Sequence, residues 1–208
     1  MTPAPDFAFE RERFSLGMRW IAGVDEVGRG PLAGPVGVAA VILDPDNIPH
    51  GLNDSKVLTA ERRVALSHSI LETAICVAIA FGSVAEIDEF NIRGATLRAM
   101  ARAVGALAMR PDFALIDGRD VPESLACPAR AILDGDAICL SIAAASIVAK
   151  VARDALMTRL GARNPEYGFA TNAGYGTPAH IEALVRFGPT PHHRRSFRTK
   201  ALRSGQAD

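Results

Sequence analysis

Asp25 and Glu26 are adjacent carboxylates that close the apolar run Ile21-Ala-Gly-Val24, and one residue later comes Gly28-Arg29-Gly30. Two like charges held this close either raise a pKa or recruit a counter-ion, so the pair suits a divalent cation, with a solvated strand end as the bland alternative. Successive strand residues point to opposite faces, so both carboxylates reach one site only where the strand ends or twists, or where one residue contributes its carbonyl. Glycines on either side of Arg29 let the backbone approach a ligand and offer amide groups to anionic or hydroxyl oxygens. Arg29 itself adds a charged fork suited to phosphate.

Further acids end other apolar runs. Asp117 follows Phe113-Ala-Leu-Ile116, and Asp134-Gly-Asp136 follows the short run Arg130 to Leu133. Strand tips are where α/β folds commonly place their sites. Ser55 and Lys56 stand at the mouth of a helix, where they form either a phosphate contact or ordinary loop. At 100° per residue Ser146, Lys150 and Arg153 fall on one narrow helix face, two cations and a hydroxyl in line for a phosphate backbone or for solvent. Tyr175 sits in a glycine-rich loop, residues 167–177, that would expose it. His192 and His193 read as surface residues beside arginines, since nothing with ligand spacing surrounds them.

The elements that must carry these residues follow from periodicity and punctuation. Ile21–Val24 and Val36–Leu43 read as two strands joined through the Gly/Pro connection. Thr59 caps a helix with Glu61 near its start. Residues 74–84 form a continuous apolar run, expected as a buried strand. Glu86-Ile-Asp88 is expected to turn the chain into a helix from about Asn91 to Ala108, with Leu97, Met100, Val104 and Leu107 on the stripe facing the sheet and Arg98 and Arg102 opposite. Two short strands ending at Asp117 and about Leu133, a helix from about Ile142 to Leu160 and a last helix from Pro178 to about Phe187 complete the order. The fold class is therefore α/β, a mixed five-stranded sheet flanked by helices with a C-terminal helical extension, and strand-tip acids meeting on one side.

With 208 residues and 49% apolar composition the chain can bury one core. No apolar run reaches the roughly 18 residues of a membrane span, and the N-terminus lacks a secretory h-region, so a cytoplasmic protein without membrane contact is expected. Cys76, Cys127 and Cys139 are odd in number and scattered, which points to free buried thiols. Formal net charge is zero, but residues 1–149 hold 13 basic and 19 acidic side chains whereas 150–208 hold 10 and 4. That asymmetry fits an acidic metal site beside a basic surface for phosphates.

The stretch Val24-Asp-Glu-Val-Gly-Arg-Gly-Pro-Leu-Ala-Gly-Pro-Val36 resembles the opening signature of ribonuclease HII, the type 2 ribonuclease H family. Leu52-Asn-Asp-Ser-Lys56, Glu86-Ile-Asp88, Leu115-Ile-Asp-Gly118, Ala143 to Lys150 with Arg153-Asp154, Gly174-Tyr-Gly-Thr177 and His193-Arg-Arg-Ser-Phe197 resemble further blocks of that family in the right order. The resemblance implies a ribonuclease H-like catalytic domain over residues 20–197, between a partly mobile segment 1–19 and a mobile tail 198–208. It implies Asp25, Glu26, Asp117 and Asp136 as active-site acids holding two Mn²⁺ or Mg²⁺ ions. It also implies that Gly28, Arg29, Gly30 and Tyr175 recognise the ribonucleotide, and that Lys56, Ser146 and Lys150 hold phosphates. The implied substrate is an RNA–DNA hybrid, or duplex DNA with an embedded ribonucleotide cut on its 5′ side to leave a 3′-hydroxyl and a 5′-phosphate. A monomer is expected, and no clamp-binding peptide is visible after Phe197. Another metal nuclease of the same fold, or a non-catalytic nucleic-acid-binding module, are the rival readings.

The chain departs from the family pattern at two places. Asp134 stands where the family usually has a lysine, two residues from the implied fourth ligand. Asn172-Ala173 stands where a His-Lys pair is usual, so weaker binding is expected there.

Overall fold

A computed structural model describes residues 4–197. The tail 198–208, expected to be mobile and searched for a clamp-binding peptide, lies outside the described residues, as do residues 1–3 of the segment 1–19 expected to be partly mobile. Helix α1 spans Ala8–Ser15, strands β1 and β2 are Ile21–Val27 and Val36–Ile42, helix α2 is Ala60–Thr73 and strand β3 is Cys76–Gly82. Helix α3 follows over Val84–Gly105, then strands β4, Phe113–Asp117, and β5, Ala129–Ile132. The C-terminal part holds α4, Gly135–Ile138; the long α5, Leu140–Arg163; the short α6, Phe169–Asn172; and α7, Pro178–Phe187.

The five strands form one sheet in the order β3-β2-β1-β4-β5, antiparallel between β3, β2 and β1 and parallel between β1, β4 and β5. Alternation along the strands separates two cores. Ala22, Val24, Val38 and Ala40 meet Ala99, Met100, Ala103 and Val104 of α3 on one face. Ala39 and Val41 meet Leu66 and Ile70 of α2 and Ala145, Ile147 and Val148 of α5 on the other. Gly23 also faces α5, so closely that a Cβ there would stand 2.1 Å from the Ser141 carbonyl carbon. The small residues Ala143-Ala-Ala145 let the helix lie against the central strand, which fixes the height of α5 relative to the strand tips. Glu10 of α1, 1% exposed, caps this junction by accepting from the Ser141 amide at 2.8 Å.

Three expectations are corrected. β3 is an edge strand with Ile79 41% exposed, because only one of its sides is paired and its outward residues meet solvent. Glu86-Ile-Asp88 is helical, since Ser83 and Glu86 form a reciprocal capping box that starts α3 at Val84. The helix breaks at Asn91 (φ 57°, ψ 172°), whose side chain accepts from the amides of Arg93 and Gly94 and caps the second half. Of the three free cysteines only Cys139 is fully buried. No helix among the described residues is long and apolar enough to cross a membrane.

Candidate functional site

β1 and β4 pair in parallel only as far as Val24 and Ile116; beyond that register Asp117 pairs with Ile132 of β5. The sheet therefore parts where the acids emerge. Asp25 enters the gap from the α5 face, shared with Gly23, and Glu26 from the α3 face, shared with Val24. Asp25, Glu26 and Asp117 each present a carboxylate oxygen, and these oxygens lie within 4.8 Å of one another. Neighbours that point to opposite sides of a strand thus converge at its end, as the side-chain alternation requires.

Concentrating anions here is unfavourable without a cation. Burial, then repulsion from Glu26 and Asp117, push the Asp25 carboxyl well above its ordinary value, against hydrogen bonds from the Ser146 hydroxyl and the Glu26 amide. Burial raises Glu26 as well; Arg29, bonded at 3.1 Å, pulls it back, and Asp117 pushes it up. Asp117 is raised by burial and by Asp136, while the Gly135 amide at 2.7 Å and Lys56 stabilise its anion. Three partly desolvated oxygen donors with excess negative charge fit a hard divalent ion, which prefers oxygen ligands.

The fourth acid stands beside this group. Asp136 is 5% exposed, and its Oδ2 accepts from Lys56 Nζ at 2.8 Å. Burial lowers the Lys56 pKa, but the hydrogen bond and attraction to Asp136 outweigh it and the net shift is upward. Asp134 is exposed, in the left-handed region (φ 51°) ahead of α4. Of the two aspartates in this segment, Asp136 is the inward one.

On the far side of the acids lies the glycine turn. Gly28 has φ +86°, and a Cβ on it would collide with Arg153 Nε. Gly30 faces Tyr175: a Cβ there would meet Tyr175 Cε1 at 3.5 Å. Tyr175, 49% exposed, thus stands over the turn with its ring open to solvent. Lys150 bonds Asp154 at 2.8 Å and is partly exposed.

Two of the residues read as phosphate contacts face inward instead. Ser146 is 4% exposed, with its hydroxyl 2.9 Å from that of Ser55 and directed at Asp25, so it orients acids and does not present a surface hydroxyl. Arg153 is 1% exposed and donates to the carbonyls of Pro35, Ala173 and Ala33, because the loops that meet over α5 bury its face. His193, expected at the surface, is 3% exposed and bonds His180 at 3.0 Å.

The sequence reading missed Arg194 and His180. Arg194, 1% exposed, donates to the carbonyls of Gly34, Arg29 and Gly28. A signal was available in the Gly/Pro connection itself: a non-regular segment buried over α5 leaves carbonyls that need donors from elsewhere. Asn172 is also accounted for, since its side chain bonds the Tyr167 carbonyl and the Gly174 amide and shapes the loop.

A family model described as ribonuclease HII matches residues 22–200. A ribonuclease HII of Cereibacter sphaeroides is 59% identical over 194 residues, covering 93% of this chain and 91% of the relative. Among solved structures, a ribonuclease H2 from Pyrococcus horikoshii superposes with a TM-score of 0.73 at 27% identity, covering 89% of this chain and 96% of the other. The ribonuclease HII in a PCNA complex from Archaeoglobus fulgidus superposes with a TM-score of 0.75 at 27% identity, covering 88% and 96%.

Proposed function

The chain belongs to the ribonuclease HII family, and we propose that it cuts on the 5′ side of ribonucleotides, including a single one embedded in duplex DNA, leaving a 3′-hydroxyl and a 5′-phosphate. It is a divalent-metal-dependent ribonuclease H that hydrolyses the RNA strand of RNA–DNA hybrids. The observation that carries the finer reading is the convergence of Asp25, Glu26 and Asp117 oxygens within 4.8 Å, beside a half-exposed tyrosine seated on a glycine turn.

Asp25, Glu26, Asp117 and Asp136 would hold two ions of the Mg²⁺ or Mn²⁺ class, which when bound supply a lowered water pKa and charge neutralisation at the scissile phosphate. Ser146 and the Glu26 amide fix the orientation of Asp25. The Gly135 amide does the same for Asp117. Lys56, with 77% of its side chain exposed, exchanges its Asp136 partner for a phosphate as the substrate arrives. Lys150, held by Asp154, contacts a second phosphate of the same strand.

Ribose differs from deoxyribose only by the 2′-hydroxyl, so its recognition needs a hydrogen-bonding group at that position. Amides of the Gly28–Gly30 turn and the Tyr175 hydroxyl serve as readers, and the Tyr175 ring rests against the adjoining sugar. All four acids and both parts of the reader come from one chain, which supports action as a monomer.

The test is cleavage of a duplex with one embedded ribonucleotide beside its all-DNA twin, with Mn²⁺, with Mg²⁺ and with chelator. Incision only at the ribonucleotide, only with a divalent ion, is the expected result. Incision of the all-DNA duplex, or hybrid binding without turnover, would sink the reading.

A further inference from the structure

The segment after α7 runs across the back of the glycine turn and is tied down along its length. Gly34 N donates to His192 O at 2.8 Å, Arg194 N donates to Leu32 O at 2.9 Å, and the Asp88 carboxylate accepts from the amides of Arg195 and Ser196 and from the Ser196 hydroxyl. Within this anchored stretch two consecutive side chains reach in different directions, one to each part of the proposed reader.

Arg194 reaches the turn. Its Nη2 donates to Gly28 O at 2.6 Å, Nη1 to Arg29 O at 2.9 Å and Nε to Gly34 O at 2.9 Å. A trans peptide points its C=O and the following N–H to opposite sides. With the Gly28 and Arg29 carbonyls drawn inward, the amides of Arg29 and Gly30 are turned away from Arg194, while Tyr175 Cε1 lies 3.5 Å from where a Gly30 Cβ would stand. Neither amide has a hydrogen-bond partner among the described residues.

His193 reaches the tyrosine through a second ring. Its Nδ1 accepts from the Thr190 amide at 2.9 Å, so in the neutral ring the proton is on Nε2, which donates to His180 Nε2 at 3.0 Å. His180 therefore carries its proton on Nδ1 and donates to the main-chain carbonyl of Tyr175 at 2.8 Å. Each ring's tautomer is set by the bond the other end makes. His180 is fully buried and packs edge-on against Tyr167 and Phe169, so this relay has little room to move.

We propose that His193 and Arg194 are positioning residues that fix Tyr175 and the outward amides of Arg29 and Gly30 relative to each other, His193 acting through His180. The inference rests on the assignment of the glycine turn and Tyr175 as the ribose reader. Neither residue touches the substrate; what they set is the geometry in which one 2′-hydroxyl meets both parts of the reader.

The experiment compares Arg194→Lys, His180→Leu and His180→Asn, the last two also in a Tyr175→Ala background, on a duplex with one embedded ribonucleotide. Kinetics are read beside thermal melting and Mn²⁺ titration calorimetry. Lysine keeps the charge but cannot fork to three carbonyls, so Arg194→Lys is expected to raise KM about tenfold or more, with Mn²⁺ affinity within about twofold of wild type. His180→Leu is expected to lower kcat/KM about ten- to hundredfold in the wild-type background and less than about twofold in the Tyr175→Ala background, because its effect runs through Tyr175. Asparagine can place a donor near the Nδ1 position, so His180→Asn should recover most of the loss.

Equal losses from His180→Leu in both backgrounds, an unchanged KM for Arg194→Lys, or a loss that tracks Mn²⁺ affinity would overturn the inference. If the leucine variant does not fold, the Arg194→Lys KM still decides, beside a His180→Asn kcat/KM that should stay close to wild type. Failure of the wild type to cut at a single ribonucleotide, or full activity of Tyr175→Ala, would instead strike the reader assignment itself.

Discussion

Lys56 Nζ lies 2.8 Å from Asp136 Oδ2, a largely exposed ammonium on a buried carboxylate. The pairing occupies the acid that the other three would need to complete a four-carboxylate centre. A cation already on Asp136 competes with a metal ion for it. Lys56→Gln is therefore expected to lower the half-saturating Mn²⁺ concentration about two- to fivefold, the range of a partly exposed ion pair, while KM for the nucleic acid rises. Calorimetric Mn²⁺ titration of the substrate-free protein gives the answer, and an unchanged or higher half-saturation would count against the competition.

Asp25 sets function against stability. Its raised pKa shows that the fold holds this charge against burial and the repulsion of Glu26 and Asp117. In chelator, Asp25→Asn keeps an acceptor for the Glu26 amide yet removes a charge, and should melt higher than wild type by about 2–4 °C, which corresponds to about 1 kcal/mol for a chain of this size. The wild type should gain about 2.7 kcal/mol when Mn²⁺ is present at a hundred times its dissociation constant. The variant should lose most of that gain, together with cleavage by on the order of 10²–10³-fold. Melting curves with and without metal, beside a cleavage assay, test both halves.

Asn91 holds backbone angles that are costly for a side-chain-bearing residue, and it compensates by capping the second half of α3. Asn91→Ala keeps the strain and discards the cap, so a loss of about 2 kcal/mol is expected. Asn91→Gly loses the cap but relieves the strain, and should cost less. Urea denaturation of the two variants orders them; alanine as the milder change would contradict this account.

His193 predicts an acid limb in stability. Burial and neighbouring His180 hold its pKa down at about 4, against about 6.5 when unfolded. The neutral ring is the form the fold accepts, so its contribution is complete above pH 6.5 and is lost as pH falls toward 4, on the order of 3 kcal/mol in all. His180 is depressed in the same direction. Asp25, Glu26 and Asp117, raised in the fold, act with the opposite sign, so the informative quantity is the difference between wild type and His193→Gln. The melting temperature of wild type should fall faster than that of the variant between pH 6.5 and 4, and parallel curves would refute it.

Asp25 and Asp117 could be read from sequence because each ends an apolar run, and a strand that leaves the core must put its next polar residue at the rim; Glu26 came with its neighbour, and Asp136 was singled out from Asp134 only by the family resemblance. The Thr59 cap and the stripe on α3 were readable for the same reason: the pattern is local, within a few residues. What could not be read depends on distant partners. Arg194 meets Gly34 across 160 residues. Nothing near Arg153 or Arg194 in the chain marks them as interior, and Arg153 shares its helical face with Lys150, which is partly exposed. The buried state of His193 likewise comes from His180 on another element. β3 looked interior because its composition is apolar, whereas exposure there is decided by which strand lies at the sheet edge.

Arg153 and Arg194 between them take six main-chain carbonyls, five from residues 28–35 and one from Ala173. A loop tethered at so many points has little configurational freedom left to surrender when a duplex docks. Calorimetry of complex formation over a range of temperatures should then give a heat-capacity change that the covered apolar area accounts for, without the larger signature of a segment that orders on contact.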